Sequence, residues 1–337
     1  MTKKSRPALL GKKPDEDTTR MIAFGKRIYI DSPCGLCNRL EMFVVARAIQ
    51  RAFGHQIFLG WVEFDDLRIE GVRYGTPGLL GRWGAVRLRD PPLPPFSELA
   101  GCKKIILRGF GGFEEEMAPI YLETASKINL RPALAEAVSA FFRELGPRPI
   151  VGIHLRQGDF SLLSGEIYDL DQEALSAVPL WWHEWVMDAI VRRQPDVRFL
   201  VCQTQAEQTV AALRKNFEIV ELPIGNPYQE RYMGYKSAKH PVADLFALAC
   251  CPVILATPVS SYSHYAANVL GGKSICLMPP PQMKKGDRAI VRSHVEGELL
   301  QYWITASLRG LRTEVLPASL EGVDLGQAAR CGWLQGR

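Results

Sequence analysis

Gly152-Ile153-His154-Leu155-Arg156-Gln157-Gly158-Asp159-Phe160 decides how the rest of the chain is read. Its first half continues Ile150-Val151 as an apolar run of strand length, and Gly158-Asp159 then supplies turn residues. In a strand, His154 and Arg156 stand two residues apart and share one face of the sheet. Gly146-Pro147-Arg148-Pro149 lies just upstream and breaks the pattern after a helical stretch, Leu134–Leu145. Downstream, strand patterns (Arg198–Gln203, Glu218–Leu222, Val253–Ala256, Ser274–Leu277) alternate with helical ones. The helices are Leu180–Arg193, Gln205–Asn216, Val242–Ala249, Ser261–Val269 and Val295–Leu308. Such alternation predicts a mostly parallel sheet with helices on both faces. Ligands of open α/β sheets sit beyond the carboxyl ends of the strands, so residues following strands are the candidates for chemistry.

The upstream half reads similarly. Arg27–Ile30 is a short strand closed by Asp31-Ser32-Pro33, and a helix follows with Leu40, Phe43, Val44, Ala48 and Phe53 on its buried face. Asn38 is the expected N-cap with Glu41 completing a capping box, and Gly54 is the stop. Ile57–Val62 and Lys104–Leu107 are further strands, and the Gly- and Pro-rich residues 71–98 read as irregular surface. The expected organisation is a flexible leader (1–25), two Rossmann-like units (26–146 and 147–308) and an irregular C-terminal extension (309–337). A length of 337 residues agrees with two units at about 150 residues each.

Composition narrows the class. Hydrophobic residues are 47% and charged residues 23%, which excludes a disordered, collagen-like or disulfide-knot chain. Of the net charge of +5, the first twenty residues supply +3 through six Lys/Arg against three Asp/Glu. The rest is nearly neutral, so nucleic acid is not an expected partner. No apolar run reaches the roughly 18–20 residues of a membrane span, which leaves only peripheral membrane association open. The N-terminus lacks the apolar core of a secretory signal, and eight scattered cysteines fit reduced thiols in a cytoplasmic setting.

An Arg at a strand end suits a diphosphate, because its planar fork makes paired, charge-assisted bonds to phosphate oxygens. His154 is placed to bond a nucleotide or orient that Arg, and Asp159 to fix the loop; for Arg156 and Asp159 taken alone, an ion pair is the plainer reading. Val253–Ala256 followed by Thr257-Pro258-Val259-Ser260-Ser261 and a helix offers N–H groups and hydroxyls to an anion, or simply a capped helix.

The His-x-Arg-x-Gly-Asp string resembles the signature of the fucosyltransferase superfamily, which includes bacterial α1,2- and α1,6-fucosyltransferases and protein O-fucosyltransferases. Gly35-Leu36-Cys37-Asn38-Arg39-Leu40 resembles that family's Gly-x-x-Asn-Arg loop. Asp244-Leu245-Phe246-Ala247-Leu248 with Ser260-Ser261-Tyr262-Ser263-His264-Tyr265-Ala266 resembles its C-terminal Asp…Ser-x-x-Ser region. The three anchors keep the family's order across residues 27–272. The resemblance implies a GT-B fold of two facing Rossmann-like units, and inverting transfer from a GDP-sugar, usually GDP-fucose, to a glycan or glycolipid hydroxyl. No metal or other cofactor is implied. Arg156 would neutralise the departing diphosphate; His154, Ser260 and Ser261 would bind the donor, Asp244 would support the nucleotide site, and Gly35 and Asn38 would reach the donor across the cleft. Two positions depart from the pattern: Gln157 stands where many relatives have Arg, and Gln203-Thr204 where relatives often have Ser-Asp.

Other readings compete. Glu166 and Asp169 are the nearest carboxylates to serve as base to an acceptor hydroxyl, or are solvated loop charges. Cys34-Gly35-Leu36-Cys37 between strand and helix is where a thiol–disulfide pair belongs. Asp169-Leu170-Asp171 has the D-x-D form of metal-dependent glycosyltransferases. Trp181, Trp182 and Trp185 at helical spacing fit a sugar-stacking face or core packing. A non-catalytic nucleotide- or glycan-binding protein of the same fold fits too.

Overall fold

A computed structural model describes residues 25–89, 92–109, 112–158, 165–169, 176–228, 238–258, 260–271, 274–294 and 314–334. It contains two mostly parallel sheets, as the sequence predicts. The first runs in the order Val72–Tyr74, Gln56–Leu59, Arg27–Ile30, Lys104–Leu107, Val86–Leu88, with every neighbouring pair parallel. The second runs Ile219–Val220, Arg198–Thr204, Ile150–Arg156, Val253–Leu255, Ile275–Met278, Ile290–His294, Glu314–Ala318. Its first five strands are parallel and its last two antiparallel. In both sheets the chain starts at a central strand, builds outward on one side and then crosses to the other. The reversal falls between Arg27–Ile30 and Lys104–Leu107 in the first sheet, and between Ile150–Arg156 and Val253–Leu255 in the second. These are the switch points where such sheets open a crevice.

The central strand of the second sheet alternates strictly. Val151, Ile153 and Leu155 pack under the helices Leu180–Arg193 and Glu207–Leu213. Gly152 and His154 face the other way, where a Cβ on Gly152 would lie 2.6 Å from Leu248 and 3.2 Å from the Cys251 sulfur. That second face is covered by helix Pro241–Ala249 and by Ser261–Leu270, and it is the face turned to the first unit. One continuous apolar core fills the space between the units, joining Leu40 and Phe43 of the first helix to Leu245, Phe246 and Tyr265 of the second unit.

Several expectations change. The helix after Arg27–Ile30 spans Leu36–Phe53, so Asn38 is inside its first turn and Gly35 holds the N-cap position, with no side-chain cap bond. Glu41 is buried and receives the Tyr121 hydroxyl instead of closing a capping box. Residues 71–98 contribute two edge strands, Val72–Tyr74 and Val86–Leu88, rather than irregular surface alone. The extension expected at 309–337 supplies the last strand, Glu314–Ala318, and then packs back, with Trp333 stacked on Phe246 at 5.7 Å. Ser261 opens four residues of α-helix, which widen into a π-helical stretch at Tyr265–Leu270. The helix expected at Val295–Leu308 and the leader up to residue 24 lie outside the described residues.

Candidate functional site at the facing switch points

His154 is the fastening of the second switch point. Its Nδ1 lies 2.7 Å from the Ser263 hydroxyl, its ring stacks on Tyr262 at 4.8 Å, and its carbonyl accepts from the Thr257 hydroxyl at 2.7 Å. The Ser263 oxygen also accepts the Thr257 N–H at 3.2 Å. The strand end and the turn Thr257–Ser263 are thereby locked together, with His154 only 3% exposed. This is a buried network whose groups are all committed, and such networks rigidify what they hold.

Arg156 projects from the same face as His154 and is half-buried. Its charge reaches the N-terminal turn of the first unit's helix: burial and Glu41 push the Cys37 thiol well up, and Arg156 pulls against that rise. Arg156 shares the strand face that Gly152 and His154 present to helix Pro241–Ala249 and to Ser261–Leu270. Gln157, where many family sequences carry Arg, donates to the Thr209 hydroxyl of helix Glu207–Leu213 at 2.8 Å. Gly158 turns the chain at φ 93°, and a Cβ there would strike the Gln205 side-chain oxygen at 1.9 Å. Gln205 is the one non-glycine residue with positive φ (53°) among the described residues. Gln203 accepts the Ala206 N–H at 2.8 Å, tying the strand end to the start of helix Glu207–Leu213 and giving this departure from the resembled pattern a structural job. Asp159 lies outside the described residues.

Ser260 is buried, and its hydroxyl has no hydrogen-bond partner among the described residues; it does not cap the helix that Ser261 opens. Ser261 instead crosses the boundary, donating to the Asn38 side-chain oxygen at 2.8 Å. Two anchors 223 residues apart in sequence thus meet directly. Asn38 is held by its neighbour: Arg39 forms a buried two-pronged pair with Glu63 and lies over the Trp61 ring at 5.3 Å. Gly35 is exposed, with nothing within 4 Å of where a Cβ would project. A second tie crosses at Asp66, which accepts the Tyr228 hydroxyl and faces His240 Nε2 at 3.5 Å. Because His240 Nδ1 accepts the Ala243 N–H, its Nε2 carries the proton offered to Asp66.

Asp244 is buried in helix Pro241–Ala249, and burial pushes its pKa up to about 8, Lys239 opposing and Glu221 adding to the rise. At neutral pH it is largely protonated, a neutral donor rather than an anion beside the site. Glu166 is exposed; it pairs with Lys285 at 3.1 Å and borders a groove of about 760 Å³ lined by Trp181 and Trp185 on the outer side of helix Leu180–Arg193. None of its described contacts is with the His154–Ser263 network. Trp182 is core, with its ring N–H donated to the Ala289 carbonyl.

Cys34 and Cys37 do not have the environment of a redox pair. Burial pushes both thiols up, whereas reactive pairs are held low as thiolates. No group of three or more His, Cys, Asp or Glu suited to a metal occurs among the described residues. Asp169 is described, but Asp171, the other end of the D-x-D string, is not.

The motif strings single out Asn38, Arg156 and Ser261 but not what supports them. Gln205, Glu63 and Trp61 carry no motif, whereas Thr257, Tyr262 and Ser263 fall within the strings that flag the second turn.

No protein-family model matches the chain, and no curated protein matches it. Among solved structures, it is similar to the fucosyltransferase NodZ from Bradyrhizobium at 16% identity and a TM-score of 0.48, covering 77% of this chain and 99% of that one. It is similar to POFUT1 in complex with GDP at 12% identity and a TM-score of 0.43, covering 75% and 98%. An Arabidopsis thaliana FUT1 in complex with GDP gives 10% identity and a TM-score of 0.47, covering 75% and 70%.

Proposed function

We propose that this chain is a glycosyltransferase that moves a sugar, fucose in the first instance, from a GDP-sugar to a hydroxyl of a glycan or glycolipid, with inversion and without a metal. In this reaction the acceptor oxygen attacks the anomeric carbon, the bond from that carbon to the β-phosphate oxygen breaks, and its electron pair leaves with the diphosphate. Negative charge grows on the leaving group, and fixed cations and dipoles are the means of stabilising it. Arg156 is assigned that charge. The observation that supports the assignment is its position: an arginine at the carboxyl end of the central strand, beside the switch point, on the same strand face as His154.

In this reading the unpartnered hydroxyl of Ser260 bonds the donor, and Gly35 leaves room at the mouth for the incoming molecule. Asn38 and Ser261, joined to each other, close the site between the units. His154 acts by holding the strand end and the Thr257–Ser263 turn in register, with its ring committed to Ser263 and Tyr262. Asp244 supports the turn from below as a neutral acid. Asp159 is assigned to fixing the Arg156 loop. Glu166, solvated and paired with Lys285, is a weak candidate for the acceptor's base, and Glu166→Gln is expected to change the rate less than about tenfold.

The test is a thermal-shift series with GDP, UDP and ADP, followed by measurement of GDP release from GDP-fucose with and without glycan acceptors. A ligand that binds only the folded chain raises its melting temperature. Stabilisation by GDP above UDP and ADP, with acceptor-dependent release, is the expected result; no nucleotide stabilisation rejects the reading. Gln157, turned to Thr209 instead of adding a cation beside Arg156, favours one alternative, a GDP-binding protein without turnover. GDP stabilisation with neither hydrolysis nor transfer would establish that alternative.

A further inference from the structure

The segment between the first sheet's two edge strands turns its apolar side chains outward. Leu79 is 90% exposed, Leu80 80% and Trp83 80%. Single exposed apolar residues are ordinary, but three large ones within five positions make a patch, and patches of this kind mark binding surfaces. Residues 71–89 contain four arginines and no acidic residue. Arg73 and Arg87 are exposed and pair with no carboxylate among the described residues.

The backbone under the patch is tied down, so the outward posture is built. Lys104 Nζ donates to the carbonyls of Leu80 at 2.7 Å and Trp83 at 3.3 Å. Arg82 donates to the Pro77 carbonyl at 3.0 Å and pairs with Asp31 at 3.1 Å. Asp31 also receives Arg108 at 3.0 Å, so this carboxylate is neutralised twice and the surroundings stay basic. Gly81 lies against the Tyr29 ring, which seats the inner side of the segment on the sheet and leaves Leu79, Leu80 and Trp83 on the other.

We propose that this patch docks on an anionic membrane surface, Leu79, Leu80 and Trp83 entering the interface and Arg73 and Arg87 meeting lipid phosphates. Indole and leucine side chains framed by arginines are the composition of interfacial anchors, in which buried apolar area and attraction to anionic lipid add. The absence of acidic residues from 71–89 favours a negatively charged surface over a protein partner of mixed charge. The inference is independent of the transferase reading and is tested without it.

The experiment is co-sedimentation of the full chain with phosphatidylcholine vesicles, with and without about 30% phosphatidylglycerol, alongside light scattering of the chain alone. Expected is binding to the anionic vesicles that falls at least about tenfold in Leu79→Ser/Leu80→Ser/Trp83→Ser, with an unchanged melting temperature because these side chains are exposed. Arg73→Glu/Arg87→Glu is expected to weaken binding to anionic vesicles most. The proposal is overturned if the triple variant sediments like the parent, since the basic residues 1–20 would then carry the binding. It is equally overturned if vesicles are ignored while the parent dimerises and the triple variant does not, which would make the patch a contact between copies.

Discussion

The turns after Arg27–Ile30 and after Ile150–Arg156 occupy equivalent places in their sheets and are built in opposite ways. In the second unit the turn is closed: His154, Thr257 and Ser263 satisfy one another below the surface, and Gly158, at positive φ, packs directly against the Gln205 side chain. In the first unit the turn is open: the helix starts at Gly35 without a side-chain cap, and space stands around that glycine. A charge that must be aimed before reaction belongs on the rigid side, and a molecule that must enter belongs on the open side.

The sharpest way to break this contrast is Arg156→Ala. GDP release and transfer are expected to fall by about a hundred- to a thousandfold or more with the melting temperature unchanged; a parent-like rate rejects the assignment. Next comes Ser263→Ala, which strips the shared partner from buried His154 and from the Thr257 N–H. A loss of about 2–3 kcal/mol in denaturant unfolding is expected, and a neutral result would mean the network does not stiffen the turn.

Two buried carboxyls give a pH signature. Burial pushes Glu41 up from about 4.5 to about 7, the Tyr121 hydrogen bond opposing. A carboxyl whose pKa rises on folding holds its proton more tightly in the folded chain. Stability therefore falls as pH rises from about 4.5 to about 7 and levels above that, by on the order of 3 kcal/mol. Asp244 extends the fall to about pH 8. Unfolding of Glu41→Gln measured across this range is expected to keep only the Asp244 part; an unchanged slope would remove Glu41 from the account.

Substituting the two glycines compares the turns directly. Gly158→Ala meets both a positive φ and the Gln205 side chain, and a cost of about 1–3 kcal/mol is expected. Gly35→Ala is expected to leave stability unchanged and raise the KM for whichever substrate passes there. The smallest effect is expected from Cys34→Ser/Cys37→Ser, with activity within about twofold of the parent because neither thiol is poised as a nucleophile. Abolished activity in a folded variant would revive the redox reading.

The long elements were legible because periodicity over ten or more residues outweighs local ambiguity. Leu180–Arg193 falls at the bounds its pattern predicts, and the two sheets follow from the alternation. Three-residue edge strands such as Val86–Leu88 carry too little pattern to emerge from a Gly- and Pro-rich segment. Asn38 was misread because its residue type fits a cap, while the helix starts two positions earlier and the side chain is used across the boundary. The Arg39–Glu63 pair and the Ser263 junction are products of the fold: nothing local at either position announces its partner.

The apolar core that runs unbroken from Leu40 to Tyr265 has a mechanical consequence. Swinging the halves apart like a book would expose well-packed side chains to water, along with the Asp66–His240 and Asn38–Ser261 ties. Under the proposed transfer, a route for substrates that keeps this spine shut costs less than one that opens it.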